Sequence, residues 1–187
     1  HGRYWQWCTK EVFSFLIDYC HAHQHQCILI EYPLAPTHRM PDIVQSIGRA
    51  MDWLHENVSN LGHVKAIGHS AGAHLLANYL DNPFVNEFYL LSGIYDLLPI
   101  QHTHLDDALK LTTEDISIYS PTLRSYHPIH ANICIAYGNQ ELPELQSQST
   151  QFSETLNQQS ISHSLLNLAN TNHYTILDHF FQQHLFR

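Results

Sequence analysis

Short apolar runs that alternate with segments of helical spacing are the feature that most constrains the fold of this chain. Each run is rich in β-branched or aromatic residues and nearly continuous in apolar character, which is typical of strands covered on both faces of a sheet. We predict five such strands: "CILIEY" (27–32), "VKAIG" (64–68), "EFYLLSG" (87–93), "NICIAYG" (132–138) and "SHSLLNLA" (162–169).

The segments between these runs carry apolar residues at helical spacing. A first helix is expected over about 9–20, and further apolar stripes lie within 43–54, 75–80, 152–156 and 176–185. Strands that alternate with helices predict an α/β fold with a mainly parallel sheet, helices on both faces and right-handed crossovers. The chain has 187 residues and is 44% hydrophobic, enough for one domain with a sizeable core, so 1–187 is interpreted as a single domain.

One stretch, about 97–130, interrupts the alternation. It contains Pro99, Pro121 and Pro128, four histidines and several acidic residues. A long connection of this kind is often functional. We therefore predict a lid-like insertion over the carboxyl edge of the sheet.

Charge and composition exclude several classes of function. The formal net charge is −9 and only 8 residues are Lys or Arg, so no basic cluster for nucleic acid is expected. No apolar stretch approaches the length that crosses a bilayer. The 4 cysteines show no CxxC spacing, which favours reduced thiols in a cytoplasmic protein. The histidines of "HAHQHQ" (21–26) lack a nearby Cys or carboxylate and favour a solvated loop over a metal site.

The stretch "GHSAGAH" (68–74) has the G-x-S-x-G pattern between a predicted strand and a predicted helix. Such a tight turn forces strained backbone angles at Ser70 and exposes its hydroxyl at the end of the sheet. The N–H group of Ala71, at the start of the helix, would then point at an atom that the serine attacks. The alternative is a structural turn with an incidental serine.

A nucleophilic serine needs a base and an orienting acid, and both can be sought in loops at the carboxyl ends of strands. His173, in "NTNHYTILDHF", follows the last predicted strand and precedes the last helix. Glu141, in "GNQELPEL", follows the preceding strand; Glu144 and Asp96 are its competitors. The order serine, acid, histidine is that of α/β-hydrolases.

A second oxyanion donor is expected from the first residues, "HGRYW", where Gly2 and Arg3 resemble an HGG-type loop. Arg3 stands where a second glycine is usual. A backbone N–H survives this change, but a non-glycine residue is strained at positive φ. Either the backbone there is ordinary or the oxyanion hole is impaired.

The chain as a whole resembles the kynurenine formamidase (arylformamidase) branch of the α/β-hydrolases. The matching stretches extend over nearly all of it, and the most specific are the aromatic HG loop and the acid-bearing stretch: "HGRYWQ", "EYPLAPTHRMPDIVQSI", "GHSAGAHL", "LSGIYDLLPI", "SPTLRS", "GNQELPELQSQS" and "NHYTILD". The resemblance implies an α/β-hydrolase fold with Ser70 as nucleophile, His173 as base and Glu141 where the family usually has Asp. It places Gly2 and Arg3 on the oxyanion loop.

The activity implied is hydrolysis of N-formyl-L-kynurenine, a small aromatic substrate, to kynurenine and formate in tryptophan catabolism, with no metal or organic cofactor. Tyr4 and Trp5 would stack on the aryl ring or pack under the HG loop. A carboxylesterase acting on small aryl or acyl esters and a catalytically impaired, hydrolase-like binding protein are the alternatives. Monomer and homodimer both stay open.

The chain starts with His1 rather than Met, and members of the family have strands before the HG loop. We therefore expect an N-terminally incomplete domain that lacks its first strands. Cytoplasmic localisation is the expectation, although a targeting segment cannot be read from this start.

Overall fold

The centre of the structure, a computed structural model that describes residues 1–186, is a four-stranded sheet. Its strands are β1 (Lys65–His69), β2 (Glu87–Leu91), β3 (Asn132–Gly138) and β4 (Ser164–Leu168). They lie in the order β1-β2-β3-β4, and each neighbouring pair is parallel. The α/β architecture with a parallel sheet is thereby confirmed, and four of the five predicted strands are present.

Helices cover both faces of the sheet, as predicted. The α-helices are α1 (Leu16–Ala22), α2 (Met40–Asn57), α3 (Ala71–Ala77), α4 (Leu98–Gln101), α5 (Asp106–Leu109), α6 (Thr113–Tyr119), α7 (Pro143–Gln158) and α8 (Ile176–Gln183). On one face, α2, α3 and α7 pack against alternate strand residues such as Phe88 and Leu90. On the other face, α1 and α8 pack against Leu91 and Ala136. The alternation follows from the two-residue period of a strand.

The prediction of a strand at 27–32 is wrong, because this segment is irregular and pairs with no strand. Glu31 accepts a hydrogen bond from the Lys10 N–H (2.8 Å), and the Tyr32 hydroxyl donates to the His1 carbonyl (2.8 Å). Ile28 is 49% exposed. A cavity of about 560 Å³ is lined both by this segment and by residues of β1. Apolar character alone does not make a strand, since a strand also needs a neighbour for its backbone groups.

The stretch that interrupts the alternation forms the three short helices α4, α5 and α6. The last begins with reciprocal hydrogen bonds: Thr112 N–H donates to Asp115 Oδ2 (2.9 Å), and Asp115 N–H donates to Thr112 Oγ1 (3.0 Å). This capping arrangement satisfies backbone donors at the helix start. Leu109 and Ile116 are buried in the larger core cluster, so this stretch is packed onto the domain. Its role as a lid stays a prediction.

No helix among residues 1–186 is both long enough and apolar enough to cross a membrane.

Candidate active site

Ser70 lies in the tight turn between β1 and α3. Its backbone angles, φ 56° and ψ −120°, are sparsely populated by residues other than glycine. The turn is held by the Ser70 N–H, which donates to the Leu91 carbonyl (2.9 Å), and by the Ala73 N–H, which donates to the Ser70 carbonyl (3.0 Å). The serine therefore occupies the strained strand-to-helix turn that the G-x-S-x-G pattern predicts.

Two glycines allow the backbone to approach this turn closely. A Cβ atom at Gly68 would lie 2.5 Å from the Gly72 carbonyl oxygen, so no side chain fits between β1 and α3. A Cβ atom at Gly2 would lie 2.9 Å from Ser70 Cβ and 3.0 Å from the His69 carbonyl oxygen. The predicted oxyanion loop thus packs directly against the serine turn, and Ala71 is the first residue of α3 beside it.

The backbone of the predicted oxyanion loop is strained. Arg3, Tyr4 and Trp5 have φ values of 76°, 53° and 59°. Left-handed backbone costs a non-glycine residue roughly 1–2 kcal/mol. The possibility of an ordinary backbone at Arg3 is therefore contradicted.

Glu141 and His173 meet at the carboxyl edge of the sheet. His173 Nδ1 lies 3.0 Å from Glu141 Oε2, with the Glu141 side chain 0% exposed and the His173 side chain 21% exposed. Because an ionised carboxylate only accepts hydrogen bonds, Nδ1 carries the hydrogen and Nε2 keeps a free lone pair. This tautomer is the one that can take a proton from a serine hydroxyl.

Three donors hold the Glu141 carboxylate. Besides His173, the Ser92 hydroxyl donates to Oε1 (2.6 Å), and the Gly138 N–H donates to the same oxygen (2.7 Å). Burial alone would raise the pKa of Glu141, but the hydrogen bonds from these groups outweigh it and lower the pKa below its usual value. The carboxyl group is therefore ionised at neutral pH.

Ser92 was missed by the sequence reasoning. It follows β2 directly in "LLSG", at the same sheet edge as the candidate acid and base. That position was the available signal, since loops after parallel strands converge at one edge.

The competing acids lie elsewhere. Glu144 is exposed on α7. Asp96 Oδ1 accepts a hydrogen bond from the Leu98 N–H (2.9 Å) at the start of α4. Of the three acids considered, the structure brings Glu141 to His173.

His69, next to the candidate nucleophile, joins the serine turn to the loop of His173. Its Nε2 lies 2.8 Å from the His173 carbonyl oxygen, and the two imidazole rings are 4.6 Å apart between centroids. The sequence reasoning did not single out His69.

The two aromatic residues predicted to bind substrate differ in position. Trp5 is 0% exposed and packs edge-on against His74 (4.8 Å between centroids), so it lies under the loop and does not face a substrate. Tyr4 is partly buried, and burial together with nearby Tyr174 raises its pKa. Tyr174 is 73% exposed and lies edge-on to the His173 ring. Tyr174 is thus an additional aromatic candidate, adjacent in sequence to His173.

Among residues 1–186, no group of three or more His, Cys, Asp or Glu side chains is arranged to hold a metal ion. All four cysteines in this described part of the chain are free: Cys8, Cys20, Cys27 and Cys134.

Comparison with known proteins gives similarities over most of the chain. A family model described as the alpha/beta hydrolase fold matches residues 1–83. Kynurenine formamidase of Salmo salar is 29% identical over 95% of this chain and 65% of its own length. Kynurenine formamidase of Danio rerio is 27% identical with the same coverage of both chains. An esterase structure from Pyrobaculum calidifontis has a TM-score of 0.82, with 15% identity over 96% of this chain and 68% of that one.

The chain thus spans 65% of the length of the two curated relatives. The parallel sheet and the strained serine turn agree with the fold that the comparisons indicate. The chain has the fold of an α/β-hydrolase and is similar to kynurenine formamidases over 95% of its length.

Proposed function

We propose that this chain is a serine hydrolase that cleaves an aryl formamide, N-formyl-L-kynurenine, to kynurenine and formate. The observation that carries the proposal is the hydrogen bond between Glu141 and His173, which leaves Nε2 of His173 free to accept a proton. The strained turn of Ser70 supports its role as the nucleophile. The similarity to two kynurenine formamidases over 95% of the chain supports the choice of substrate.

In the first half-reaction, Ser70 Oγ attacks the formyl carbon while His173 Nε2 takes the hydroxyl proton. The carbonyl oxygen becomes an oxyanion, for which the N–H groups of Ala71 and of the Gly2–Arg3 segment are the proposed donors. Protonated His173 then donates its proton to the departing arylamine nitrogen. Cleavage of the C–N bond leaves a formyl ester on Ser70 and releases kynurenine.

In the second half-reaction, His173 takes a proton from water, which attacks the formyl ester. The ester C–O bond breaks, the proton returns from His173 to Ser70 Oγ, and formic acid leaves and ionises to formate in water. Glu141 orients the imidazole in both halves and stabilises its protonated form, because its ionised carboxylate lies 3.0 Å from Nδ1.

Tyr4 and Tyr174 are the proposed contacts for the aromatic ring of the substrate. Tyr174 is largely exposed beside the base, and Tyr4 lies on the loop that packs against the serine turn. Aromatic rings in such positions favour offset or edge-to-face contacts with an aryl substrate.

Formation of kynurenine from N-formyl-L-kynurenine, followed by absorbance, tests the proposal. Ser70→Ala should abolish turnover. Ser149→Ala is the matched control, because Ser149 is a buried serine on α7 whose hydroxyl has no hydrogen-bond partner. Turnover that survives Ser70→Ala would contradict the assignment of the nucleophile.

An aryl acetate assayed in parallel separates the alternatives. Turnover of the ester without the formamide would shift the function to a carboxylesterase. Failure on both substrates, with no labelling of Ser70 by a serine-directed phosphonate, would favour a hydrolase-like binding protein. The positive φ of Arg3 is the observation on the side of that last candidate.

A further inference from the structure

His69 is buried between the turn of the proposed nucleophile and the loop that carries the proposed base. It is 9% exposed, and its Nε2 lies 2.8 Å from the backbone carbonyl oxygen of His173. The two rings are inclined at 41° to each other, with centroids 4.6 Å apart. On the other side, a Cβ atom at Gly2 would lie 3.4 Å from His69 Nδ1. His69 therefore contacts three parts of the site at once.

The tautomer and charge of His69 follow from these surroundings. A carbonyl oxygen only accepts hydrogen bonds, so the hydrogen of the imidazole is on Nε2. Burial, with a smaller contribution from nearby His173, lowers the pKa of His69 to about 3. The ring is neutral at physiological pH, and Nδ1 has no hydrogen-bond partner among the described residues. A ring with so low a pKa is a poor candidate for a second base, because its free Nδ1 lone pair binds a proton only weakly.

We propose that His69 is a positioning residue for the hydrolytic reaction: its hydrogen bond to the His173 carbonyl sets the distance between the base and Ser70. The inference rests on the proposed roles of Ser70 and His173. His69 is covalently joined to Ser70 and hydrogen-bonded to the main chain of His173, so it links the two groups directly.

The hydrogen bonds that Glu141 and Gln140 make to the His173 loop do not join it to the serine turn. Glu141 holds the imidazole through Nδ1, which orients the ring but does not hold the main chain. The Gln140 N–H donates to the Thr171 carbonyl (2.9 Å), which holds the loop two residues before the base. The His69 bond holds the base's own carbonyl against the serine turn. A shift of about 1 Å in such a group costs about 100-fold in rate.

Substitution of His69 by Leu tests the inference. Leu keeps most of the side-chain bulk and removes the donor, so kcat should fall about 10–100-fold with little change in KM. His69→Gln should keep kcat within about three-fold of wild type, because its amide nitrogen can occupy the position of Nε2. Should His69→Leu not fold, His69→Asn replaces it, since its shorter amide cannot reach the carbonyl.

His74→Leu is the matched control. His74 is also buried, on helix α3 directly after the serine turn, and its Nε2 donates to the Tyr119 carbonyl at the same distance of 2.8 Å. Its removal should lower the free energy of unfolding without lowering kcat. Equal kcat values for His69→Leu and His69→Gln, or an equal loss in His74→Leu, would overturn the positioning role.

A readout that needs no substrate separates this inference from the proposed function. Hydrogen exchange of the peptide spanning 169–175 should be faster in His69→Leu than in wild type, His69→Gln or His74→Leu. Absence of that difference overturns the inference whether or not the protein cleaves the formamide. Faster exchange in a protein that cleaves neither substrate would support the anchoring contact and refute the proposed function alone.

Discussion

Replacement of Glu141 by Gln removes the charge of the proposed acid and leaves its shape almost unchanged. In the native site, Oε1 accepts from Ser92 and from the Gly138 N–H, and Oε2 accepts from His173 Nδ1. A glutamine has one accepting oxygen and one donating NH₂ group. Its single oxygen can therefore accept either from Ser92 and Gly138 or from His173 Nδ1, but not from both sets of donors.

The side chain has two orientations to choose between. With its oxygen toward His173, its NH₂ group faces the Gly138 N–H, and a buried donor left unpaired costs about 1–3 kcal/mol. With its oxygen toward Ser92 and Gly138, the NH₂ group faces His173, whose hydrogen then moves to Nε2. The second orientation leaves no donor unpaired, so we expect it to dominate.

The expected orientation removes the base. A hydrogen on Nε2 prevents His173 from taking the serine proton. The equivalent carboxylate-to-amide change in serine proteases lowers kcat about 10⁴-fold for the same reason. We therefore expect kcat for N-formyl-L-kynurenine to fall about 10³–10⁴-fold at neutral pH, with KM almost unchanged. The free energy of unfolding should fall by only about 1–2 kcal/mol, because two hydrogen bonds to a charged acceptor become bonds to a neutral one.

Steady-state kinetics and urea unfolding of Glu141→Gln measure these two quantities. Glu144→Gln, an exposed residue one helical turn along, is the matched control and should be unchanged in both. A kcat for Glu141→Gln within tenfold of wild type, in a folded protein, would refute Glu141 as the orienting acid. A large loss of stability with intact kcat would reassign it to a structural role.

Three further measurements concern stability. Arg3→Gly should raise the free energy of unfolding by up to about 1 kcal/mol, because glycine adopts a positive φ without strain, although it also loses more chain entropy on folding. A lower free energy of unfolding, measured with urea, would contradict strain at Arg3. Ser92→Ala should lower the free energy of unfolding by about 1.5–3 kcal/mol, because the hydrogen bond to Glu141 is lost. Ser149→Ala should leave it almost unchanged, because the Ser149 hydroxyl has no hydrogen-bond partner. An equal loss of stability in the two variants would contradict the contribution of the Ser92–Glu141 hydrogen bond. Burial lowers the pKa of His69 to about 3 and that of His74 to about 4. Below about pH 6.5 both histidines bind a proton in the unfolded chain but stay neutral in the folded protein. Lowering the pH should therefore reduce the free energy of unfolding by roughly 2.7 kcal/mol per pH unit between about pH 5.5 and 4. Above about pH 6.5 the two groups cause no further change in the free energy of unfolding. His69→Gln and His74→Gln should each remove half of the slope. An unchanged slope would show that the rings titrate in the folded state.

Apolar runs predicted the sheet well because a buried parallel strand has little freedom in its composition. The four runs that became strands are neighbours of one another in space, as sequential strands usually are. The run 27–32 has the same composition but no partner strand. A hydrophobic pattern indicates burial, whereas hydrogen-bond pairing depends on what lies beside the segment.

Some residues of the candidate site could be predicted from the sequence and others could not. Glu141 and His173 could be predicted from their positions after consecutive strands, and the structure places them in contact. Ser92 had a signal in its position directly after β2, but its contact with Glu141 depends on which loops meet in three dimensions, and the same holds for the contact of His69 with the His173 loop. The strain at Arg3 was foreseen only as one of two outcomes, since the backbone angles of a loop residue depend on the tertiary packing around it.

The sheet order places β1, which leads into the proposed nucleophile, at one end of the sheet, with β2 as its only partner strand among the described residues. Local openings at the end of a sheet need less free energy than global unfolding. Ser70 would leave its position in such an opening while β2, β3 and β4 stay folded. Activity should therefore be lost at lower denaturant concentrations than the signal of secondary structure, so that this protein inactivates before it unfolds.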